Sequence, residues 1–400
     1  MNFPLQQTNS PTSSLAIPGQ GFDMRDRLDP RRLTIVMWDQ AFLLRHQPGG
    51  SYEDYDKVLD QASERGYNTL RLDPLPQLLD LAHPEKVYAW PDPKTPFMPW
   101  CWDKAVEGPA GEWLIEFMQK VLDRRLHYTL SAWWFTDQSG NNPFAQGSLA
   151  PRTHLEAAGL WVKMLKDWRS RFGFDGLVYV DIANEVPYFL HEYMQRIHQE
   201  TGADWSMPRF TPAQVEFLAN DLNQAMALLQ AEFPELRFTA SIHGDLRWLE
   251  VPLNFDCLDV HFYADADPRW RERTRFADHM AHLFTRDDWH AEFSQRCGQT
   301  QQAVAPMLRA RQRAKLASFA AWSVQQGMPL TTSESWSSWY YIDSPNLDWG
   351  WLLEWAEWSV EDAIEYGMWG WTPHNYCQPQ FHNWQDARWH QRLTQKFLNS

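Results

Sequence analysis

Eight short apolar, partly β-branched runs recur along this chain, and stretches with helical spacing separate them. The runs lie at 33–38, 67–72, 126–133, 177–182, 237–242, 257–263, 329–334 and 368–371. Runs of this length bounded by turn signals read as buried strands. Seven stretches carry apolar residues at helical spacing: 52–65, 111–125, 153–171, 211–232, 303–326, 348–366 and 384–398. Three of them stop at a glycine, Gly66, Gly327 and Gly367, a helix stop signal. Alternation of this kind calls for a parallel sheet with helical crossovers, and eight units close a barrel. The expected fold is therefore α/β, a single (β/α)8 TIM barrel over 30–400 with an N-terminal lead-in over 1–29. No composition break inside 30–400 suggests a second domain. The segments 75–108 and 264–301 are long for connectors and are expected to wall a cleft on one face; the second reads as an extended loop or small helical lid.

The C-terminal ends of barrel strands all open on one face. Polar groups collect at those ends: Arg71, Asn184, Glu185, His261, Tyr263 and Glu334. Taken singly, each has a bland explanation. A Glu at a strand end can be half of a structural ion pair, and a Tyr or His there can be core. Two carboxylates at two strand ends are also what glycosidic-bond hydrolysis uses. The composition adds a second hint. The chain has 24 Trp in 400 residues. A Trp-rich core and a sugar-binding cleft lined by rings are both open readings, since concave ligand sites are lined mainly by aromatic and apolar groups.

Other chemistries fit less well. The net charge of −15 argues against nucleic acid or an anionic membrane surface as partner. No run of about 18 apolar residues is present, and the first residues lack a charged and then apolar leader pattern, so a cytoplasmic address is expected. The cysteines at 101, 257, 297 and 377 show neither metal nor disulfide spacing and read as reduced, buried thiols. His243 and Asp245 at the end of the fifth run invite a metal reading, but no further ligand stands at supporting spacing, so no metal and no cofactor are expected. There is no Gly-rich phosphate loop and no Gly-X-Ser-X-Gly elbow. Nothing in the sequence bears on oligomeric state.

The order of the strand-end residues resembles the retaining glycoside hydrolases of clan A, most nearly the family 5 cellulase-like enzymes. The pieces are Arg71 on strand two, Asn184-Glu185 on strand four, His261-Phe262-Tyr263 on strand six, Glu334 on strand seven and a Trp on strand eight. The resemblance implies that Glu185 is the general acid/base and Glu334 the nucleophile. It implies that Asn184 holds a sugar 2-hydroxyl, that Arg71 and Tyr263 orient the nucleophile, and that His261 contacts the acid/base. Trp371, or failing it Trp369, would floor the subsite of the cleaved sugar. Trp38, Trp133 and Trp336 are further candidate sugar-contacting rings. The implied activity is retaining hydrolysis of short oligosaccharides or β-glycosides, acting from chain ends. An endo-acting β-glucanase or mannanase and a sugar-binding barrel without turnover stay open. The family often carries a His near the end of strand three, where this chain has Trp133-Trp134.

Overall fold

The computed structural model describes residues 28–90, 92, 100–134 and 151–400. Most of the expected lead-in, and residues 135–150 after the third run, therefore lie outside the described residues. Twelve strands follow in chain order: β1 Leu33–Asp39, β2 Thr69–Leu72, β3 Tyr88–Trp90, β4 Val106–Gly108, β5 His127–Ser131, β6 Leu177–Asp181, β7 Phe238–Thr239, β8 Ile242–His243, β9 Leu258–Tyr263, β10 Leu330–Thr331, β11 Ser335–Trp336 and β12 Gly370–Trp371. All pairings are parallel except the β3–β4 hairpin, which lies within the long segment 75–108. A curled six-stranded sheet has the order β12-β1-β2-β5-β6-β7, and β8, β9, β10 and β11 form a second sheet around β9.

Each of the eight runs yields strand, but the fifth and seventh are interrupted. The cause is a buried carboxylate at each break. Asp181 at the end of β6 accepts the backbone N–H of Ser241 at 2.8 Å, between β7 and β8. Asp259 in β9 accepts the N–H of Ser333 at 3.0 Å, between β10 and β11. A side chain takes the donor that a ladder carbonyl would take, so the ladder skips a step. The edges of the two sheets still touch. Val186 N–H donates to Ser241 O at 3.0 Å, beside a parallel bridge from Val186 to Ile242. On the other side Trp369 N–H donates to Leu330 O at 2.7 Å, and Thr332 N–H to Gly370 O at 3.2 Å. Gly370 suits that seam, because a Cβ there would lie 2.1 Å from Thr331 Oγ1.

The helices start where their caps are written. Asp54 caps Tyr55–Glu64, Thr153 caps His154–Phe172, and Thr211 with Gln214 forms a capping box ahead of Pro212–Glu232. Gly327, at φ +69°, closes Asp287–Gln326. That helix is 40 residues long, so the segment 264–301 is more ordered than its sequence suggests. It consists of Pro268–Thr274, Phe276–His282 and the first half of the long helix. Buried Trp289, Phe293, Cys297 and Thr300 give that first half its helical stripe.

Most described Trp rings are core. Trp38, Trp134, Trp161, Trp168, Trp248, Trp355 and Trp371 are among the fully buried ones, which favours the Trp-rich core for the bulk of the 24. No helix among the described residues is long and apolar enough to cross a membrane.

Candidate active site

The polar strand ends converge. Beyond β6 the chain turns at Glu185, whose φ of +51° is costly for a residue with a Cβ. The turn is pinned on both flanks. Asn184 N–H donates to Ala132 O at 2.9 Å, and Glu185 N–H to Ser241 Oγ at 2.9 Å. Asp39, at the end of β1, has φ +42°. Such backbone persists only where surrounding contacts over-determine it, and it clusters at functional sites.

Arg71 in β2 organises the floor. Its Nη1 lies 2.8 Å from Asp39 Oδ1 and 2.8 Å from Glu334 Oε1. Its Nη2 donates to Asn184 Oδ1 at 2.6 Å and to Ser131 Oγ at 3.0 Å. Burial disfavours the Arg71 charge, but Asp39, Glu334 and Asp181 outweigh it and hold the guanidinium protonated. The other oxygen of Glu334 accepts from Tyr263 Oη at 2.8 Å and from Asn375 Nδ2 at 3.3 Å. Burial pushes the Glu334 carboxyl up, to about 7; Arg71 and His261 pull it back, and Glu185 adds to the rise.

Glu185 sits between two imidazoles. His261 Nδ1 is 2.9 Å from its Oε1, and His243 Nε2 is 2.9 Å from its Oε2. Burial would raise this carboxyl, but the two histidines outweigh burial and hold it well below the usual range. Burial likewise opposes a charge on His261, while Glu334, Asp259 and Glu185 push its pKa up to about 10. Asn184 accepts at Oδ1 from Arg71 and Ser241, whereas its buried Nδ2 has no partner among the described residues. That donor is set for a ligand oxygen.

One oxygen each of Glu185 and Glu334 and one His261 nitrogen lie within 4.8 Å of one another. Such a trio can face a metal ion, but Arg71 already occupies Glu334 Oε1 and His261 is held protonated. Both positive charges oppose a dication there. Asp245, the other sequence candidate for a metal, is taken by Arg247, whose Nε lies 2.8 Å from Oδ2.

A cavity of about 670 Å³ opens over the two glutamates, a size typical of small-molecule sites. Trp100, Trp133, Phe189, Trp339 and Tyr340 supply its rings. Of the residues expected from sequence, Arg71, Trp133, Asn184, Glu185, His261, Tyr263 and Glu334 come together here. Three do not. Trp371 is fully buried, donates Nε1 to Ser359 Oγ at 2.9 Å and packs on Phe397, so it faces the outer helices. The second choice, Trp369, donates to Pro30 O at 2.8 Å and is also buried away from the cavity. Trp38 donates to Cys377 O at 3.2 Å and packs on Tyr52 and Phe117. Trp336 stacks on Phe262 and donates to Thr372 O at 2.9 Å. For Trp38 the physical reason is strand alternation, since its neighbour Asp39 points to Arg71; Trp336 and Trp371 are held away from the cavity by their packing on Phe262 and Phe397.

The sequence reading missed His243 as a partner of Glu185, Asn375 as a partner of Glu334, and the ring of Trp339; Trp100 comes from the segment 75–108, which was expected to wall a cleft. His243 was visible at a strand end. Asn375, four residues past Trp371, had no local signal.

Residues 35–398 match the family described as cellulase-like, sugar-binding cellulase-like. Among solved structures, a protein from Parabacteroides distasonis ATCC 8503, provisionally assigned as a glycoside hydrolase, superposes with a TM-score of 0.76 at 25% identity, over 92% of this chain and 93% of that one. The cellulose synthase subunit Z of Clostridioides difficile superposes with a TM-score of 0.50 at 10% identity, over 92% of this chain and 99% of that one, a likeness of fold. A GH5-4 broad-specificity endoglucanase from Clostridium acetobutylicum has a TM-score of 0.45 at 11% identity, over 96% and 100% of the two chains. No curated protein matches in sequence.

Proposed function

The chain belongs to the sugar-binding cellulase-like family, and on that premise we propose that it is a retaining β-glycoside hydrolase with Glu334 as nucleophile and Glu185 as acid/base. The two sheets are read here as one eight-stranded barrel, joined at the Val186–Ile242 and Leu330–Trp369 seams. The single observation that carries the reading is the approach of Glu185 and Glu334 oxygens to within 4.8 Å. Retaining enzymes hold their carboxyls about 5–5.5 Å apart, whereas inverting ones leave about 6.5–9.5 Å for a water.

The chemistry follows from the contacts. Glu334 attacks the anomeric carbon while Glu185 gives a proton to the departing oxygen. A covalent glycosyl ester forms on Glu334. Glu185 then takes a proton from water, which attacks the same carbon and releases Glu334. Arg71, Tyr263 and Asn375 receive the returning charge on Glu334, so the ester is a good leaving group. The unfilled Asn184 Nδ2 is offered to the sugar 2-hydroxyl, a hydrogen bond that strengthens as the oxocarbenium-like state develops. The compact ring-walled cavity favours short glycosides taken from the chain end. A sugar-binding protein without turnover is the second reading, favoured by the family's own description.

A panel of 4-nitrophenyl β-glycosides tests this. Release of nitrophenol from at least one member is expected, and proton NMR of the first-formed sugar should show the β-anomer. A first-formed α-anomer would mean inversion, and no release from any member would favour the binding protein. The acidic limb of kcat/KM on the accepted glycoside is expected near pH 7, because Glu334 must be ionised to attack and its carboxyl is pushed up to about 7. Activity should therefore rise with pH through that value. A limb at pH 4 would show that Arg71 and His261, not burial, dominate this carboxyl.

A further inference from the structure

The site has an inverted polarity. The residue that must donate a proton, Glu185, is the one whose oxygens are both occupied by imidazoles. The two histidines hold this carboxyl well below the usual range against its burial, so it needs a source for the proton that a departing alkoxide takes. That proton has to be near, because an unassisted alkoxide is a poor leaving group.

The two histidines differ in what else they touch. His261 is fully enclosed, with Nε2 3.6 Å from Asp259 Oδ1 and 3.4 Å from Ser333 Oγ, and Nδ1 also 3.9 Å from Glu334 Oε1. Three carboxylates hold its charge, so it is a fixed cation. Among the described residues His243 has Glu185 as its one acidic partner, and its side chain is 22% exposed. It also stands between two cavities. The catalytic one lies on one side, and on the other is a space of about 670 Å³ lined by Gln312, Lys315 and Ser318 of the long helix. Tyr188, Tyr263 and Trp339 rings surround His243. Asp245 touches only its backbone carbonyl, and its carboxylate is paired with Arg247. Among the described residues, the titratable and charged groups beside the His243 ring or lining the two cavities it borders include Glu185, Tyr188, Tyr263, His261, Asp267, Arg271, Arg311, Lys315 and Glu334.

We propose that His243 holds the proton that Glu185 delivers to the leaving group, a positioning residue that acts on the substrate only through Glu185. This rests on the glycosidase reading above. His243 Nε2 and Glu185 Oε2 lie 2.9 Å apart, a distance that a single proton can bridge. A sugar that fills the cavity excludes water and makes the separated charges costly relative to the neutral pair. The proton then crosses from His243 Nε2 to Glu185 Oε2. Glu185 passes it to the glycosidic oxygen as the bond from C1 to that oxygen breaks and the bond from C1 to Glu334 forms. In the second half Glu185 takes a proton from water as the water oxygen bonds to C1 and Glu334 departs as carboxylate. That proton returns to His243. One proton enters and one leaves per turnover, and nothing is oxidised.

The test compares wild type with His243→Gln and His243→Ala on three β-glycosides of one glycone. The leaving groups are 2,4-dinitrophenol, which needs no proton, 4-nitrophenol and 4-methoxyphenol, which needs one. Gln keeps an N–H donor for Glu185 but cannot hold a proton. His243→Gln should lose about tenfold or more in kcat/KM on the methoxyphenyl glycoside and stay within about threefold on the dinitrophenyl one. Its alkaline limb should move to lower pH. Equal losses on both substrates, or an unchanged alkaline limb, would overturn the assignment and leave His243 a structural contact. Nitrogen-15 NMR of the histidines in Glu334→Gln, which binds without turning over, gives a readout that needs no His243 variant. The His243 signal should move toward neutral imidazole when a glycoside is bound; a signal unchanged by the glycoside would also overturn it. If wild type hydrolyses no glycoside, the glycosidase reading itself falls and takes this one with it. If wild type is active and His243→Gln behaves as the wild type, only the His243 assignment falls.

Discussion

Replacing Glu334 by Ala is expected to lower kcat on the best aryl β-glycoside by about 10⁴-fold or more while leaving the fold intact. On the proposed mechanism the size follows from what is lost: the attacking atom itself, and the acceptor on which Arg71, Tyr263 and Asn375 converge. The variant also carries a positive signature. Truncation opens space beneath the anomeric carbon, next to an Arg71 that has lost one of its carboxylates. A small anion such as azide can enter there and attack from the nucleophile's side. The expected product is the α-glycosyl azide, formed by a single displacement. Glu185→Ala should differ in kind. Its Glu334 still forms the glycosyl ester from a dinitrophenyl glycoside, and azide then enters from the opposite side to give the β-glycosyl azide. Mass spectrometry and NMR of the two azides separate the roles. If Glu334→Ala kept wild-type turnover, or if both variants gave the same anomer, the assignment of the two carboxylates would be wrong. A fold change would not mimic this pattern, because each variant must still bind and turn over azide.

Much of this site was readable in the sequence for one physical reason. A parallel strand has to present its C-terminal end to the open face, so a polar residue at the end of an apolar run is placed by the run itself. Arg71, Glu185, His261, Tyr263 and Glu334 follow that rule. What failed was the side-chain direction of Trp38, Trp336 and Trp371. A strand end lets either face be polar or aromatic, and a Trp is equally at home against an outer helix, as Trp371 is against Ser359 and Phe397. Asn375 and Trp339 were unreadable because they reach the site from loops, where no periodicity fixes direction. The broken strands have a related cause. Asp181 and Asp259 read as ordinary strand residues, and only their contacts with Ser241 N–H and Ser333 N–H reveal that they interrupt the sheet. His243 shows a different failure: with Asp245 it was weighed only as a metal ligand and set aside, whereas the fold turns one toward Glu185 and the other toward Arg247.

Arg71→Met should cost about 3–5 kcal/mol of stability at pH 8, the scale seen when one partner of a buried ion pair is removed. Arg71 is fully buried and faces Asp39, Glu334 and, at 4.0 Å, Asp181, all of them buried. Methionine fills similar volume, so packing changes little. What changes is charge: the carboxylates lose the cation that repays their desolvation. Their folded pKa values then rise further above the unfolded range of about 4. A carboxyl with a raised folded pKa is penalised once the unfolded chain ionises, and the penalty grows with pH until the raised value is passed. The deficit of Arg71→Met against wild type should therefore be small at pH 5 and larger at pH 8. Urea unfolding at both values measures it. Adding Asp39→Asn should recover part of the loss at pH 8, since it removes one unpaired charge from the same contact. A deficit below about 0.5 kcal/mol at both pH values would mean that Glu334, Asp39 and Asp181 are all already protonated in the wild type. Arg71 would then serve the sheet rather than the nucleophile.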